Sequence, residues 1–171
     1  EIAVLDFHRG LGNRRLLPAG PLREPADRLD QVDWILERNS PDEDRGFFYQ
    51  LTGFRNLVSG RILDPAQAQV QWEEIPAVAI AGIGQPTQFF DMLRVRGFRV
   101  RGCPLPDHYK ITESEIQSID VRLILCTQKD AIKLQELVDP RVWVVEIEAQ
   151  LPESLLRSLS ARLPAPRQIR D

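Results

Sequence analysis

Short apolar runs alternate with helix-like segments over the second half of the chain, and this alternation constrains the fold more than any other feature. The apolar runs are typical of buried strands, and the segments between them place apolar residues at helical spacing. Strands separated by helices form βαβ units, whose strands are parallel. We therefore expect an α/β fold with strands at 77–81, 98–100, 121–126 and 142–147, and with helices at 86–96, from Thr112 and at 129–137.

The first half of the chain has fewer regular elements. Apolar patterning predicts strands at 2–5, 47–51 and 57–63, and a short helix or turn within 28–36. Prolines exclude a regular helix from the segment 9–25 that follows the first strand. The expected organisation is a first lobe over 1–63, a linker over 64–76, a Rossmann-like βαβ lobe over 77–163 and a frayed tail over 164–171.

Composition and charge exclude several functional classes. With 43% hydrophobic and 27% charged residues, the chain has the composition of a folded domain rather than of a disordered one. Its net charge of −3 supplies no general positive field, so we predict no nucleic-acid partner. The cysteines, Cys103 and Cys126, lack metal-binding spacing, so we expect free buried thiols in a reducing compartment and no metal site in this chain.

The segment after the first strand is the richest in binding chemistry. It follows the carboxyl end of a strand, which is where open α/β sheets bind their ligands. Gly10 and Gly12 allow a ligand to approach the backbone closely. The forked guanidinium groups of this segment suit phosphates, and they belong to Arg9, Arg14, Arg15 and Arg23. The alternative interpretation is a rigid proline-rich loop whose arginines are merely solvated.

A second glycine pair, Gly82-Ile-Gly84, stands between a predicted strand and a helix. Helix N-termini bind anions, and such a turn is part of the dinucleotide-binding fingerprint. Thr87 stands where the third glycine of that fingerprint belongs, and no acidic residue follows the next strand. We expect a tight strand-to-helix turn. A Rossmann-like dinucleotide-binding domain and a non-catalytic interaction lobe are kept as alternative functions.

Four segments occur in the same order as in one known family. These are Leu-Leu-Pro-Ala-Gly-Pro-Leu-Arg-Glu-Pro at 16–25, Ala-Gly-Ile-Gly-Gln-Pro-Thr-Gln-Phe-Phe at 81–90, Pro-Asp-His-Tyr at 106–109 and Thr-Gln-Lys-Asp-Ala-Ile-Lys at 127–133. Together with Arg-Gly-Leu-Gly-Asn at 9–13, they closely resemble the tetraacyldisaccharide 4'-kinases of lipid A biosynthesis. The chain departs from that family at Tyr109, where a second His is common, and at Gln128, where Glu is usual.

The resemblance implies a P-loop-type kinase that uses ATP and Mg²⁺. Its substrate would be a tetraacylated glucosamine disaccharide 1-phosphate, the lipid A precursor, phosphorylated on its 4' hydroxyl. Its location would be the cytoplasmic face of the inner membrane of a Gram-negative bacterium, as a peripheral protein. The first lobe would then be the C-terminal part of a P-loop-type parallel sheet.

The sequence lacks the phosphate-binding loop of such a kinase. A Walker A motif places a lysine after a glycine, but Lys110, Lys129 and Lys133 do not follow one. The chain also begins inside a strand pattern and without Met. We therefore expect the C-terminal portion of a kinase, inactive alone, with the P-loop, the Asp-Asp-Gly magnesium motif and a membrane helix lying upstream.

Catalytic and binding roles are expected for a few residues. By resemblance, His108 assists an upstream Asp that deprotonates the sugar hydroxyl, and Asp107 either orients His108 or caps a turn. Glu24 holds nucleotide or substrate, or it pairs with Arg23 or Arg28. Asn13 contributes to binding, or it only tolerates a positive φ. The full predicted binding set is Arg9, Asn13, Arg23, Glu24 and Lys129.

Overall fold

The structure is a computed structural model that describes residues 1–106, 109–134 and 136–163. It divides into two compact units. The first unit contains Glu1–Gln50 and the chain from Ala149 onward, and the second contains Leu51–Glu148. No helix in the described ranges is both long enough and apolar enough to cross a membrane.

The first unit is built on parallel strands. β1 (Ile2–Asp6) pairs with β2 (Trp34–Arg38) along its whole length, and β2 pairs in parallel with the start of β3 (Gly46–Asn56). A 3₁₀ helix, Ala26–Gln31, precedes β2. The core is small, because three buried side chains form its centre. These are Leu36, Phe47 and Leu155.

The second unit contains a larger, mostly parallel sheet. Its strand order is β3, β8, β7, β5, β6, and β4 pairs antiparallel with β3. The parallel pairs are β7 with β8, β5 with β7 and β5 with β6. The remaining strands are β4 (Ile62–Leu63), β5 (Ala77–Ala81), β6 (Val100–Pro104), β7 (Leu123–Thr127) and β8 (Val142–Gln150).

Local capping signals determine where several helices begin. Asp64 and Thr112 each form a capping box, with Gln67 and Glu115 as the reciprocal partners, and these boxes start two of the helices. Pro65 and Pro86 occupy first-turn positions, where a missing N–H costs nothing. The helices are α1 (Pro65–Trp72), α2 (Pro86–Val95), α3 (Glu113–Ser118), α4 (Gln128–Ala131), which continues as a 3₁₀ turn over Ile132–Leu134, and α5 (Glu153–Arg162).

Apolar packing covers strand β5 of the second unit completely. All of β5 is buried, as expected for a parallel strand with a cover on both faces. The ring of Trp72 packs edge-on against Phe54 and against Trp143, with ring centroids 5.0 Å apart in each pair. Phe90 lies against Gly102, where an added Cβ would come within 2.4 Å of the ring. Position 102 therefore has no room for a side chain while Phe90 keeps its place.

The predicted α/β class is confirmed, and the strand at 77–81 has its predicted bounds. The strand predicted at 57–63 is wrong, because the chain turns there and only β4 remains extended. The side chain of Asn56 causes this turn by accepting hydrogen bonds from Ser59, and Gly60 follows with a φ of +69°. The strand predicted at 98–100 lies further on, as β6, because Gly97 turns the chain first.

The compact units divide the chain differently from the expected lobes. The segment expected as a linker, 64–76, contains α1, whose Ala68 and Trp72 are buried in the core of the second unit. The segment 149–163 belongs to the first unit through α5, a helix that the apolar pattern had not predicted. Residues 164–171, the expected frayed tail, lie outside the described residues.

Candidate functional site

An ion pair fixes the start of the loop that follows β1. Asp6 and Arg38 are the last residues of β1 and β2, they lie opposite each other in the strand register, and their side chains form an ion pair. The Asp6 carboxylate also accepts the backbone N–H groups of His8 and Arg9, at 3.1 and 3.2 Å. The Arg38 guanidinium, aided by those N–H groups, lowers the pKa of Asp6. The loop therefore leaves the sheet from a charged, hydrogen-bonded anchor.

Asn13 holds the interior of this loop together. Its Nδ2 donates to the carbonyl of Ala19 at 2.9 Å, and its Oδ1 accepts the N–H of Arg15 at 3.1 Å. Gly20 packs so closely that an added Cβ would lie 2.2 Å from that same Oδ1. Because both ends of its amide are engaged, the loop structure alone explains an Asn at position 13.

The loop presents arginine side chains to solvent. Backbone hydrogen bonds hold the loop at Arg9, Arg14 and Arg15, and the guanidinium groups of the loop pair with no other described residue. Gly10 and Gly12 adopt left-handed conformations, with φ of +50° and +60°, as does one of the arginines, Arg14, at +59°. A rigid backbone with unpaired forked donors is a suitable surface for phosphate groups. The arginines concerned are Arg9, Arg14, Arg15 and Arg23.

Glu24 pairs with Arg28 rather than with its neighbour Arg23. The distance between Arg28 Nε and Glu24 Oε2 is 3.2 Å, one helical turn apart in sequence. Arg28 also pairs with Glu1, and the two carboxylates raise the pKa of Arg28, Glu1 more strongly. The carboxylate of Glu24 remains two-thirds exposed, so it keeps capacity for a further partner.

The second candidate region lies at the carboxyl ends of β5 and β7 in the second unit. The chain leaves β5 through α2 to reach β6 on one side, and then returns through α3 to β7 on the other side. This reversal of strand order is the topological switch point at which open parallel sheets bind ligands. Gly82 follows β5 and residues 128–130 follow β7, so both flank the switch point.

Asp130 connects the two flanks of the switch point. Its Oδ2 accepts the N–H of Gly82 at 2.9 Å and the hydroxyl of Thr127 at 2.7 Å. Its Oδ1 lies 3.1 Å from Nζ of Lys133. The side chain is 2% exposed, so this is a buried carboxylate whose charge is balanced by a lysine. The bond between Asp130 and Gly82 spans 48 residues and leaves no local signal in the sequence.

The Gly82-Ile-Gly84 turn does not support the dinucleotide interpretation. In that fingerprint the backbone N–H groups at the turn are open to a pyrophosphate. Here the N–H of Gly82 already donates to Asp130, and Gly82 itself is buried. The turn is tight, as predicted, and the carboxylate of the protein stands where an anion would have to bind.

Lys129 and Gln128 border the same turn. Nζ of Lys129 lies 3.5 Å from the carbonyl of Gly82, and Lys129 is an exposed residue. Gln128 donates from Nε2 to Oε2 of Glu146 at 2.5 Å, and Oε1 of Glu146 pairs with Arg55 at 2.8 Å. Gln128 therefore has a structural partner that sequence reasoning could not name.

Asp107 and His108 lie outside the described residues, which resume at Tyr109. On one side of them, the N–H of Leu105 donates to the carbonyl of Ala81 at 2.9 Å. On the other side, the Tyr109 hydroxyl donates to Glu115 at 2.5 Å, which together with Thr112 lowers the pKa of Glu115 to about 2. The same bond raises the pKa of Tyr109.

Neither thiols nor carboxylates form a metal site in the described part of the chain. Within those ranges, no group of three or more His, Cys, Asp or Glu side chains is arranged to hold an ion. Cys103 and Cys126 are free, and burial raises the pKa of Cys126 to about 12. The Cys126 thiol is therefore an unreactive core group.

Comparison with known proteins finds relatives that share one description, tetraacyldisaccharide 4'-kinase. The chain is 42% identical to the tetraacyldisaccharide 4'-kinase of Bordetella petrii and 38% identical to that of Alkalilimnicola ehrlichii, over 95% of this chain in each case. It covers 50% and 49% of those proteins, so it spans about half the length of these relatives.

A solved structure shares the fold. The crystal structure of LpxK from Aquifex aeolicus in complex with ATP superposes with a TM-score of 0.65 at 24% identity, covering 94% of this chain and 51% of that one. The family model for tetraacyldisaccharide-1-P 4'-kinase matches residues 1–164. The chain therefore belongs to the tetraacyldisaccharide-1-P 4'-kinase family.

Proposed function

We propose that the protein carrying this chain transfers a phosphoryl group from ATP to the 4' hydroxyl of a tetraacylated glucosamine disaccharide 1-phosphate, in lipid A biosynthesis. The observation that carries this proposal is the family match over residues 1–164, which includes both candidate regions. Because the chain spans about half of its relatives, the activity is proposed for the whole protein as its genome encodes it.

The loop that follows β1, residues 9–25 and here called the β1 loop, would contact phosphate groups of the nucleotide or of the disaccharide. Its guanidinium groups at Arg9 and Arg23 are exposed and unpaired with other described residues, while Asp6 holds the backbone at Arg9 and Asn13 holds it at Ala19. Phosphoryl transfer depends almost entirely on positioning and on charge stabilisation. A rigid loop with forked donors supplies both. Glu24, which retains an exposed carboxylate, would hold a neighbouring polar group of the ligand.

Asp107, His108 and Lys129 would serve the acceptor side. His108 would assist removal of the proton from the sugar hydroxyl, with Asp107 orienting the imidazole, and Lys129 would contact an anionic group at the switch point. ATP supplies the transferred phosphoryl group when bound. Mg²⁺ finds no ligand set among the described residues, so no role is assigned to this chain in binding it.

We infer that the protein works at the cytoplasmic face of the bacterial inner membrane, as a peripheral protein. The support is the chemistry of the proposed substrate, since a tetraacylated disaccharide resides in a membrane. Flotation of the encoded protein with vesicles of phosphatidylethanolamine and phosphatidylglycerol tests this location. Recovery of all the protein in the vesicle-free fraction would contradict it.

The decisive experiment measures transfer of label from γ-labelled ATP to the disaccharide 1-phosphate in detergent micelles. The matched control is the same acceptor without its 4' hydroxyl, which should take up no label. A folded preparation that labels neither acceptor, or both equally, would refute the proposal. Titration with NADH and NADPH in parallel tests the dinucleotide alternative, for which we expect no saturable binding.

A further inference from the structure

One peptide unit at the end of β5 is held from two sides. The carbonyl of Ala81 accepts the N–H of Leu105 at 2.9 Å, and the N–H of Gly82, in the same peptide plane, donates to Asp130 Oδ2 at 2.9 Å. Because a peptide unit is planar and rigid, its two polar groups turn together. The bond to Asp130 and the pairing of β5 with β6 therefore hold the same peptide plane.

Burial, hydrogen bonds and an ion pair hold the Asp130 side chain in this position. It is 2% exposed, and its own N–H donates to the hydroxyl of Thr127, which caps α4. Lys133 supplies the balancing charge one turn further along. A Cβ at Gly82 would lie 2.9 Å from Oδ1 of Asp130 and 3.6 Å from the Cβ of Leu105. The segments that follow β6 and β7 thus enclose Gly82 and leave no room for a side chain there.

Removing the carboxylate would leave the Gly82 N–H buried without an acceptor. An unsatisfied buried donor is costly, so the peptide would rotate toward another partner. That rotation would turn the Ala81 carbonyl away from Leu105, which is two residues before Asp107 in the chain. Misplacement of a reacting group by about 1 Å is enough to slow an enzyme by about 100-fold.

We propose that Asp130 is a positioning residue, which fixes the Ala81–Gly82 peptide and through it the start of the segment that carries Asp107 and His108. This inference rests on the proposed role of His108 in phosphoryl transfer. It assigns Lys133 the role of counter-ion to Asp130, and it assigns Thr127 the role of orienting the carboxylate.

Three variants of the encoded protein distinguish the loss of the hydrogen-bond acceptor at position 130 from the loss of its negative charge. Asp130→Ala removes both. Asp130→Asn combined with Lys133→Met keeps an oxygen for the Gly82 N–H and removes the ion pair. Asp139→Ala is the matched control, because it breaks another partly buried ion pair of the second unit, with Arg141.

Two measurements are made on each variant. The first is the exchange rate of the Leu105 amide hydrogen, which needs no activity. The second is kcat and KM for ATP and for the disaccharide. These are measured in proteins that keep His108 and in proteins that also carry His108→Ala.

We expect Asp130→Ala to speed Leu105 exchange and to lower kcat by about 10-fold to 100-fold with KM within twofold. The loss should not multiply with that of His108→Ala, because both act on one group. The double variant should restore most of kcat and of the exchange protection, and Asp139→Ala should change neither.

Unchanged Leu105 exchange in Asp130→Ala would overturn the positioning role whatever the activity. So would a kcat equal to that of Asp139→Ala, or losses that multiply with those of His108→Ala. If the protein transfers no phosphate at all, the proposed function fails, while the exchange of Leu105 still decides whether Asp130 fixes this peptide. If Asp130→Ala does not fold, Thr127→Val, which removes the hydroxyl bonded to Asp130 Oδ2, takes its place: faster Leu105 exchange supports the positioning role, and unchanged exchange overturns it.

Discussion

The side-chain amide of Gln128 donates to the carboxylate of Glu146, with 2.5 Å between Nε2 and Oε2. Glu146 in turn pairs with Arg55 through its other oxygen. Members of the family that this chain resembles usually carry Glu at the position of Gln128. Here a carboxylate at 128 would face the carboxylate of Glu146, so this chain has an amide where the neighbouring charge requires a donor.

Gln128→Glu should therefore destabilise the protein at pH 7, by about 1 kcal/mol for a like-charge pair near the surface. For a protein of this size that corresponds to a decrease in Tm of about 2–4 °C. Thermal unfolding at pH 7 measures it, and Gln128→Ala, which loses the same donor without adding a charge, is the control.

The two glycines of the Gly82-Ile-Gly84 turn should respond differently to the same substitution. A Cβ at Gly82 would meet Asp130 at 2.9 Å and Lys133 at 3.3 Å, whereas a Cβ at Gly84 would meet nothing within 4 Å. Gly82→Ala should cost about 1–3 kcal/mol, typical of overpacking, and Gly84→Ala should cost almost nothing. Urea unfolding of both variants compares them, and equal midpoints would contradict the packing described.

Acid should weaken the attachment of Tyr109 to α3. The Tyr109 hydroxyl and Thr112 lower the pKa of Glu115 from 4.5 to about 2, so the folded state binds this proton less readily than the unfolded state. The stabilisation is complete above pH 4.5 and is lost as the pH falls toward 2. Tyr109→Phe should destabilise the protein at pH 6 and make no difference near pH 2. Unfolding free energies of Tyr109→Phe and of the unaltered protein, measured from pH 6 to pH 2, test whether the difference between them disappears.

Arg23→Lys should impair the complete enzyme if the β1 loop binds phosphate. An ammonium group replaces the forked donor with a point charge, and a hydrogen bond to a charged group contributes about 1.5–3 kcal/mol. We expect kcat/KM to fall by about 10-fold to 100-fold. Arg45→Lys, another exposed arginine of the first unit, is the control. Equal kinetics in both variants would assign this loop a structural role only.

His108→Ala should lower kcat of the encoded protein with little change in KM. A positioned base contributes about 10²–10⁴ in rate, and a helper acting through an Asp should account for part of that. The opposing interpretation, a histidine that only packs its segment, predicts a lower Tm with kcat nearly intact. Measuring both quantities on one preparation decides between them.

The sequence predicts local structure here better than long-range polar contacts. The capping box at Thr112, the buried strand at 77–81 and the tight turn after it follow from residues close in sequence, and all are observed. The bond from Gly82 to Asp130 spans 48 residues and had no local signal. The turn at Asn56 replaced an expected strand because a side-chain acceptor, which alternation of apolar residues cannot reveal, decides the backbone there.

The same distinction applies to the candidate site. Glycines, prolines and arginines at 9–25 predict a ligand-binding loop. The structure gives a hydrogen-bonded loop with exposed guanidinium groups, and ligand binding by this loop stays a prediction. The roles of Asn13 and Gln128 depend on their partners Ala19 and Glu146, which only the folded chain brings together.

The contact between Phe90 and Gly102 has an evolutionary consequence. Since a Cβ at 102 would come within 2.4 Å of the ring, position 102 cannot gain a side chain while Phe90 is kept. Lineages that gain a side chain at 102 should carry a smaller residue at 90. The substitution at 90 must come first, because an intermediate with Phe at 90 and a side chain at 102 would contain the clash. The pair should therefore appear as a covarying couple in an alignment of the family, with the Phe–Gly and small–Ala combinations common and the Phe–Ala combination absent.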